Sequence, residues 1–456
     1  MTSVQNSYQN QLSSQKQISI FETTNCHMRK LHFLLIILIL HTIVIAQTKN
    51  DKLLNDLLLA GKDSLVKAVL DQPEVYRYQV IYTRIDRDKN NKPAFTNYYS
   101  NVDPYRYFNP ASMVKMPLAF LSLEKLNDMK VPGVNKFTSM QFDSVRAKQK
   151  KLYNDSSAEN GFPSIAQFIR KAFLISDNDA YNRMYQFIGQ QNINRRLHAM
   201  GYKETRITRQ FMGLTPDENR YTNPIRFINE DGSLIYSQPP AYNTDSFDFS
   251  RINKMGNAHM NAEDILVNEP FDFTRHNNMP LEDMQQMLRA VMFPDAVPAN
   301  QRFNLTKDDY EFLYRFLSQY PSETNYPKYD TAEYYDSYVK FFFRNNEHTM
   351  PEHVRVFNKV GWAYGCLTDV SYVADFKNNV EFMLAVTIYV NSDGVVNDSK
   401  YEYETVGHPF VYKIGQAIYQ HELSRKRKFI PDLSRFKMEY HKRKEDGRMA
   451  IKNADN

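Results

Sequence analysis

The spacing of apolar positions changes twice along this chain. In DKLLNDLLLAGKDSLVKAVLD (51–71) Leu and Val recur at helical intervals up to Pro73, which predicts a first helix. YRYQVIYTRID (76–86) and FTNYYS (95–100) are β-branched and aromatic runs on either side of the turn-rich RDKNNKP, and predict a hairpin. From about 103 to 350 the helical spacing returns, over 115–129, 164–175, 178–200, 281–292 and 307–319, with few strand signals. Three more strand-like runs follow, VRVFNKVGW (354–362), LTDVSYVADF (367–376) and EFMLAVTIYV (381–390), with connections short enough for antiparallel pairing. A closing helix is expected over 409–424.

Strand signals therefore sit only at the two ends. The economical arrangement is an α/β (α+β) unit whose antiparallel sheet of about five strands is built from 48–102 and 352–424 and flanked by the terminal helices. A large helical region, 103–351, is then inserted between the second and third strands. Within it, residues 214–280 are rich in Asn, Pro, Asp and aromatics without clear periodicity, and read as long loops of an insertion.

Composition changes the picture mainly at the termini. With 456 residues and 42% apolar positions the chain can build a full core. Only 14 Gly and no Gly-rich phosphate loop disfavour a nucleotide fold, so no cofactor is expected. The net charge of +5 belongs to the tail, because residues 425–456 carry eleven Lys and Arg against five Asp and Glu. That tail reads as a solvated, frayed terminus and not as a nucleic-acid partner surface.

Arg29 and Lys30 precede an apolar run from Leu31 to Ile45 that ends in small or branched residues before Gln47. This reads as a signal peptide at about 28–46, with residues 1–47 outside the folded unit. The run is shorter than the ~20 residues of a spanning helix. The mature chain is therefore expected to be exported to the periplasm, without membrane association after cleavage. Cys26 lies upstream, which leaves Cys366 as the single thiol; its neighbours GCLTDVSYV alternate like a strand, so a buried structural Cys is expected. Metal catalysis is disfavoured: there is no H-E-x-x-H, and His348 and His353 flank Pro351 at a spacing no helical face satisfies.

Three short motifs carry the candidate chemistry. Ser112 and Lys115 stand in NPASMVKMPLAFLSLEKL, where a Pro and small residues lead into an apolar helix. At this spacing hydroxyl and amine share a helix face, so a partly desolvated Lys can accept the Ser proton. The same S-x-x-K pattern occurs elsewhere, at Ser13, Ser122 and Ser434 among other positions, so the context of Ser112 carries the argument: it follows a Pro and small residues at a helix start, where backbone N–H groups can face developing negative charge. Ser176-Asp177-Asn178 is the only S-D-N in the chain. It can be read as a helix N-cap, or as a Ser that relays a proton to a leaving nitrogen beside an Asn that orients a substrate carbonyl. Lys359-Val360-Gly361 lies on the strand after the helical region, where the Lys supplies positive charge and the Gly permits close backbone approach.

In this order the three motifs resemble the S-x-x-K, S-D-N and K-[TS]-G signature of class A β-lactamases and related penicillin-recognising serine hydrolases. The segments NPASMVKMP, FLISDNDAYNRMYQFIG and KVGWAYGCLTDVSYV agree, and the likeness spans roughly 51–424. The resemblance implies that Ser112 is the acylated nucleophile, that Lys115 and Ser176 move protons, and that Asn178, Lys359 and Gly361 contact substrate. The N–H groups of Ser112 and Trp362 would form the oxyanion hole. Substrates would be β-lactams or D-alanyl peptides of peptidoglycan type.

Three features depart from the family pattern. Val360 replaces a hydroxyl that helps hold a substrate carboxylate, so a Thr there is expected to improve binding. In TRITRQFMG (205–213) Phe211 stands where the family places a deacylating Glu, and Glu218 is the nearest carboxylate downstream. The 183 residues from Ser176 to Lys359 exceed the interval of compact members, which suggests that the insertion lies over the site. The competing reading is a non-catalytic cell-envelope protein that keeps the fold and binds through its Tyr- and Asn-rich insertion.

Overall fold

Five strands pair into one antiparallel sheet: β1 (Gln79–Arg87), β2 (Pro93–Ser100), β3 (Val354–Ala363), β4 (Cys366–Asp375) and β5 (Val380–Tyr389), in the order β3-β4-β5-β1-β2. These come from a computed structural model that describes residues 48–454; the expected signal segment at 28–46 lies outside the described residues. The N-terminal hairpin joins the C-terminal strands through β1 and β5, with Tyr82 opposite Leu384. Side chains alternate between two cores, as the pleat requires. Val80, Tyr82, Val356, Val360 and Leu384 face a layer closed by Leu54, Val66, Ile414 and Ile418. Ile81, Phe357, Val370 and Met383 face the opposite layer, where they meet Met284 and Leu288.

The first layer is supplied by α1 (Lys52–Leu59), α2 (Ser64–Leu70) and the closing helix α9 (His408–Ser424). The inserted region supplies α3 (Lys115–Met129), α4 (Ile165–Leu174), α5 (Asn178–Ile188), α6 (Gln190–Ala199), α7 (Leu281–Met292) and α8 (Lys307–Ser318). α3 is buried on nearly every side, which its apolar sequence allows and which makes it the central helix. Among the described residues no helix is long and apolar enough to cross a membrane.

Several expectations are corrected. The helix expected over 51–71 is two, because Asp63 accepts hydrogen bonds from the N–H of Leu65 and Val66 and so caps a new start. The helix expected over 178–200 is broken at Gly189, whose φ of +85° no helix accommodates. The inserted region also holds more strand than its sequence announces. Ser139–Phe142 pairs with Ile225–Ile228, and that with Leu234–Gln238. The pairs Lys254–Met255 with Phe271–Asp272 and Ala258–Met260 with Leu266–Val267 brace the 214–280 loops. Segments of two to five residues are too short to show an alternation.

The basic tail is docked, not frayed. Leu433 and Phe436 are buried in the core beside α7 and α8. Arg425 pairs with Asp86 at 2.6 Å and with the buried Glu422 at 2.9 Å, Arg443 donates to the carbonyls of Thr324 and Pro321, and Ile451 pairs across to Tyr329. Much of its positive charge is thus spent on this chain's own acceptors.

Candidate active site

The chain reaches the site through NPAS. Asn109 Oδ1 accepts a hydrogen bond from Ala111 N at 2.8 Å, and Ala111 takes a φ of +45°, a left-handed conformation that costs a side-chain-bearing residue about 1–3 kcal/mol. Ser112 follows in a single 3-10 turn, Ala111–Val114, which feeds α3. This turn rests on β3. A Cβ on Gly361 would lie 2.6 Å from Pro110 O and 3.0 Å from Ser112 N, so the glycine is needed by the turn that carries Ser112. The space beside Gly361, expected to admit substrate, is occupied by the backbone of Pro110 and Ser112.

Ser112, Lys115, Ser176, Asn178 and Lys359 come together. Lys115 is fully buried, and its Nζ donates to Ser112 Oγ at 2.7 Å, to Asn178 Oδ1 at 2.8 Å and to Ser176 Oγ at 3.2 Å, and also contacts Ser176 O. Lys359 Nζ donates to Ser176 Oγ at 2.8 Å and to Val360 O at 2.6 Å. Ser176 therefore stands between two amines, in a backbone conformation with φ +69°. The N-cap reading of S-D-N is met. Asp177 caps α5 by accepting from Ala180 N at 2.7 Å, and that cap presents Ser176 and Asn178 to the site.

The competing S-x-x-K at Ser122 is separated by geometry. Its Oγ is buried without a hydrogen-bond partner, while Lys125 turns to Phe187 O and to Gln238 Oε1 at 2.7 Å. Cys366 is buried, its thiol accepts from Asn109 N at 3.3 Å, and burial pushes it up to about 11, so it is no nucleophile at neutral pH.

A cavity of about 610 Å³ opens on Ser112, with Ser176, Asn178, Phe211, Trp362 and Tyr364 among its walls. That volume suits a small-molecule ligand. Trp362 lines it while its ring packs against Phe341 and Tyr338 on the far side of β3. No Asp or Glu is among its lining residues. Glu218 is half-buried and pairs with Lys148 at 3.0 Å. The position facing Lys115 is held by Phe211, whose ring centre is 5.2 Å from Lys115 Nζ and stacks on Tyr181 at 4.4 Å. Asn182 Oδ1 accepts from Phe211 N at 2.8 Å, Asn219 Oδ1 from Gln210 N at 2.7 Å, and Asn277 Oδ1 from Thr208 N and Arg209 N, so three Asn side chains fix this loop.

Val360 requires a second correction. Strand alternation puts Lys359 on the site face and Val360 on the other, fully buried beside Val356 and Leu367. A hydroxyl at 360 would enter that layer and not the cavity. Sequence reasoning also missed Arg209, His276, Asn277, Asn397, Ser399 and Tyr401, which line the cavity from loops distant in sequence. Arg209 stands in the 205–213 segment beside Phe211, and the only local signal of the others was the polar and aromatic texture of 214–280 and of the loop after β5. These two loops are tied together, since Val395–Val396 pairs in parallel with Ala258–His259. Among the described residues no group of three or more His, Cys, Asp or Glu is placed to hold a metal ion.

Residues 69–234 match the model of the beta-lactamase enzyme family, a stretch that includes Ser112, Lys115, Ser176 and Asn178 and ends before Lys359. The search of curated proteins found no match. Among solved structures, a β-lactamase from Xanthomonas campestris pv. campestris is similar at 12% identity over 82% of this chain and 99% of that one, with a TM-score of 0.44. A β-lactamase from Sphaerobacter thermophilus is similar at 13% identity over 79% and 97%, with a TM-score of 0.41. A point mutant of PBP-A, in an acyl-enzyme complex with penicillin G, is similar at 11% identity over 80% and 96%, with a TM-score of 0.43. Residues 69–234, less than half of the chain, are thus similar to the beta-lactamase enzyme family.

Proposed function

We propose that this β-lactamase-like chain performs acyl transfer through Ser112 on β-lactams or D-alanyl peptides. Lys115 takes the hydroxyl proton as Ser112 Oγ bonds to the carbonyl carbon, and the N–H groups of Ser112 and Trp362 hold the oxyanion. The carbon–nitrogen bond then breaks, and Ser176 delivers a proton to the departing nitrogen while Asn178 and Lys359 position the acyl group. Water must next cleave the ester. With Phe211 in place of a carboxylate, that second step lacks a general base, so the acyl-enzyme persists.

The observation that carries this reading is the 2.7 Å contact between Lys115 Nζ and Ser112 Oγ at the floor of the cavity. It also weighs against a purely non-catalytic envelope protein, which has no use for a buried amine on an accessible hydroxyl. Labelling residues 48–456 with a fluorescent penicillin tests it. Wild type should label, Ser112→Ala should not, and Lys115→Met should acylate roughly 100-fold more slowly or worse. Equal labelling of all three would overturn the assignment. We also infer export to the periplasm from Arg29, Lys30 and the run Leu31–Ile45. Amino-terminal sequencing of protein from the periplasmic fraction, starting near Gln47, would support it, and retention of Met28 in cytoplasmic material would refute it.

A further inference from the structure

Past Phe211 the catalytic cavity borders a smaller one of about 250 Å³, and the two share Arg209 and His276 as a common wall. Three arginines line this second pocket, Arg209, Arg220 and Arg275, together with Phe247 and Phe249 from the insertion. Asp272 is the only carboxylate among its lining residues, and it accepts from Thr274 N at 2.8 Å, so guanidinium charge exceeds carboxylate charge here.

Two of the three, Arg220 and Arg275, lie against aromatic faces. Phe249 has Arg206 on one contact and Arg275 on another, each 4.9 Å from its ring centre, and Arg220 lies 5.8 Å from Phe247. Arg220 is further anchored to the carbonyls of Asn243 and Asp245 at 2.8 Å. The Arg275 guanidinium has no hydrogen-bond or ion-pair partner among the described residues. His276 Nε2 meets Arg209 Nη1, and burial, followed by the Arg209 charge, pushes the imidazole down to about 3, so it stays neutral at physiological pH. Cations stacked on rings around a small cavity suit a group with several acceptor oxygens, because guanidinium pairs bidentately with carboxylate or phosphate.

We propose that this pocket is an anion subsite of the acylation site, built from Arg209, Arg220 and Arg275, which takes an oxyanionic group on the part of the substrate that extends past Phe211. The proposal rests on Ser112 being the acylated residue. It makes the preferred substrate one that carries a second negative group besides the one facing Lys359. A carboxylate and a phosphate share the required chemistry.

Two measurements test it. The first compares acylation by benzylpenicillin and by carbenicillin, which differ by one side-chain carboxylate, in wild type, Arg275→Ala and Arg275→Lys. Arg275 lines only the second pocket, so benzylpenicillin should react equally with all three. Carbenicillin should be favoured about tenfold in wild type, lose that advantage in Arg275→Ala and regain part of it in Arg275→Lys. The second titrates glutarate and inorganic phosphate calorimetrically into Ser112→Ala, with and without Arg275→Ala. Binding of either anion that disappears with Arg275 supports the subsite, and which anion binds names its source. No binding of either, together with equal penicillin ratios in all variants, overturns the subsite. If wild type is acylated by neither penicillin but glutarate or phosphate binding still depends on Arg275, the subsite stands and the Ser112 reading fails.

Discussion

Replacing Phe211 by Glu puts a carboxylate where the proposed slow step lacks a base, and the structure sets the size of each effect. The Phe211 ring stacks on Tyr181 at 4.4 Å, an interaction worth about 0.5–1.5 kcal/mol, so Phe211→Glu costs some stability. A general base contributes about 10²–10⁴ in rate, or roughly 2.7–5.4 kcal/mol of barrier. Deacylation should accelerate within that range. A carboxylate near the present ring position would also lie about 5 Å from Lys115 Nζ. At an effective dielectric of about 20 that attraction is roughly 3 kcal/mol before solvent screening, and it favours the charged amine. Acylation through Lys115 should therefore slow, by about tenfold after screening. With deacylation limiting turnover, as proposed, steady-state hydrolysis should still rise. The assay is the half-life of the penicilloyl-enzyme by intact mass, alongside steady-state rate, in wild type, Phe211→Glu and Phe211→Gln. An equal gain from Gln, which has the shape of Glu without its basicity, would refute the reasoning, as would an unchanged half-life in the Glu variant.

Gly361→Ala should lower acylation at least 100-fold with the sheet intact by circular dichroism, because the added methyl must displace the backbone of Pro110 and Ser112; near-wild-type acylation would contradict this contact. Val360→Thr should leave acylation of carboxylate-bearing β-lactams within about twofold of wild type, since the side chain faces the apolar layer, and a tenfold gain would contradict that placement. Asp283 is pushed up by burial to about 6 from 3.8, against the lowering hydrogen bond from Thr205. A raised folded-state pKa stabilises below pH 3.8, and that contribution is lost as pH rises through about 6. Asp283→Asn should then be about 1–3 kcal/mol more stable than wild type at pH 7 and nearly equal at pH 4, by denaturant titration at both values.

The parts of the fold that were legible in sequence are those with long periodic signals. The helices over 115–129 and 281–292 have the limits their spacing indicates, and β3, β4 and β5 begin and end within a residue or two of the runs that announced them. Breaks made by one residue were not legible: Gly189 interrupts a continuous apolar periodicity through its φ alone. The docked tail was hidden because two apolar anchors, Leu433 and Phe436, stand among many cations whose acceptors come from distant segments. At the site, Ser112, Lys115, Ser176 and Lys359 were legible because fixed spacing on a helix, a cap and a strand carries them. Val360 was misread through neglect of the same alternation that brings Lys359 to the cavity. Arg209, His276 and Tyr401 had no motif, because a wall assembled from separate loops leaves no spacing to read.

The central claim is that Ser112 is acylated and releases its acyl group slowly. Intact mass spectrometry of residues 48–456 during incubation with benzylpenicillin, followed by peptide mapping, tests both parts at once. The account predicts one penicilloyl group per chain, placed on the peptide containing Ser112, absent in Ser112→Ala and persisting after free penicillin is removed. An adduct on another residue, or rapid hydrolysis of penicillin with no adduct at any time, would contradict it.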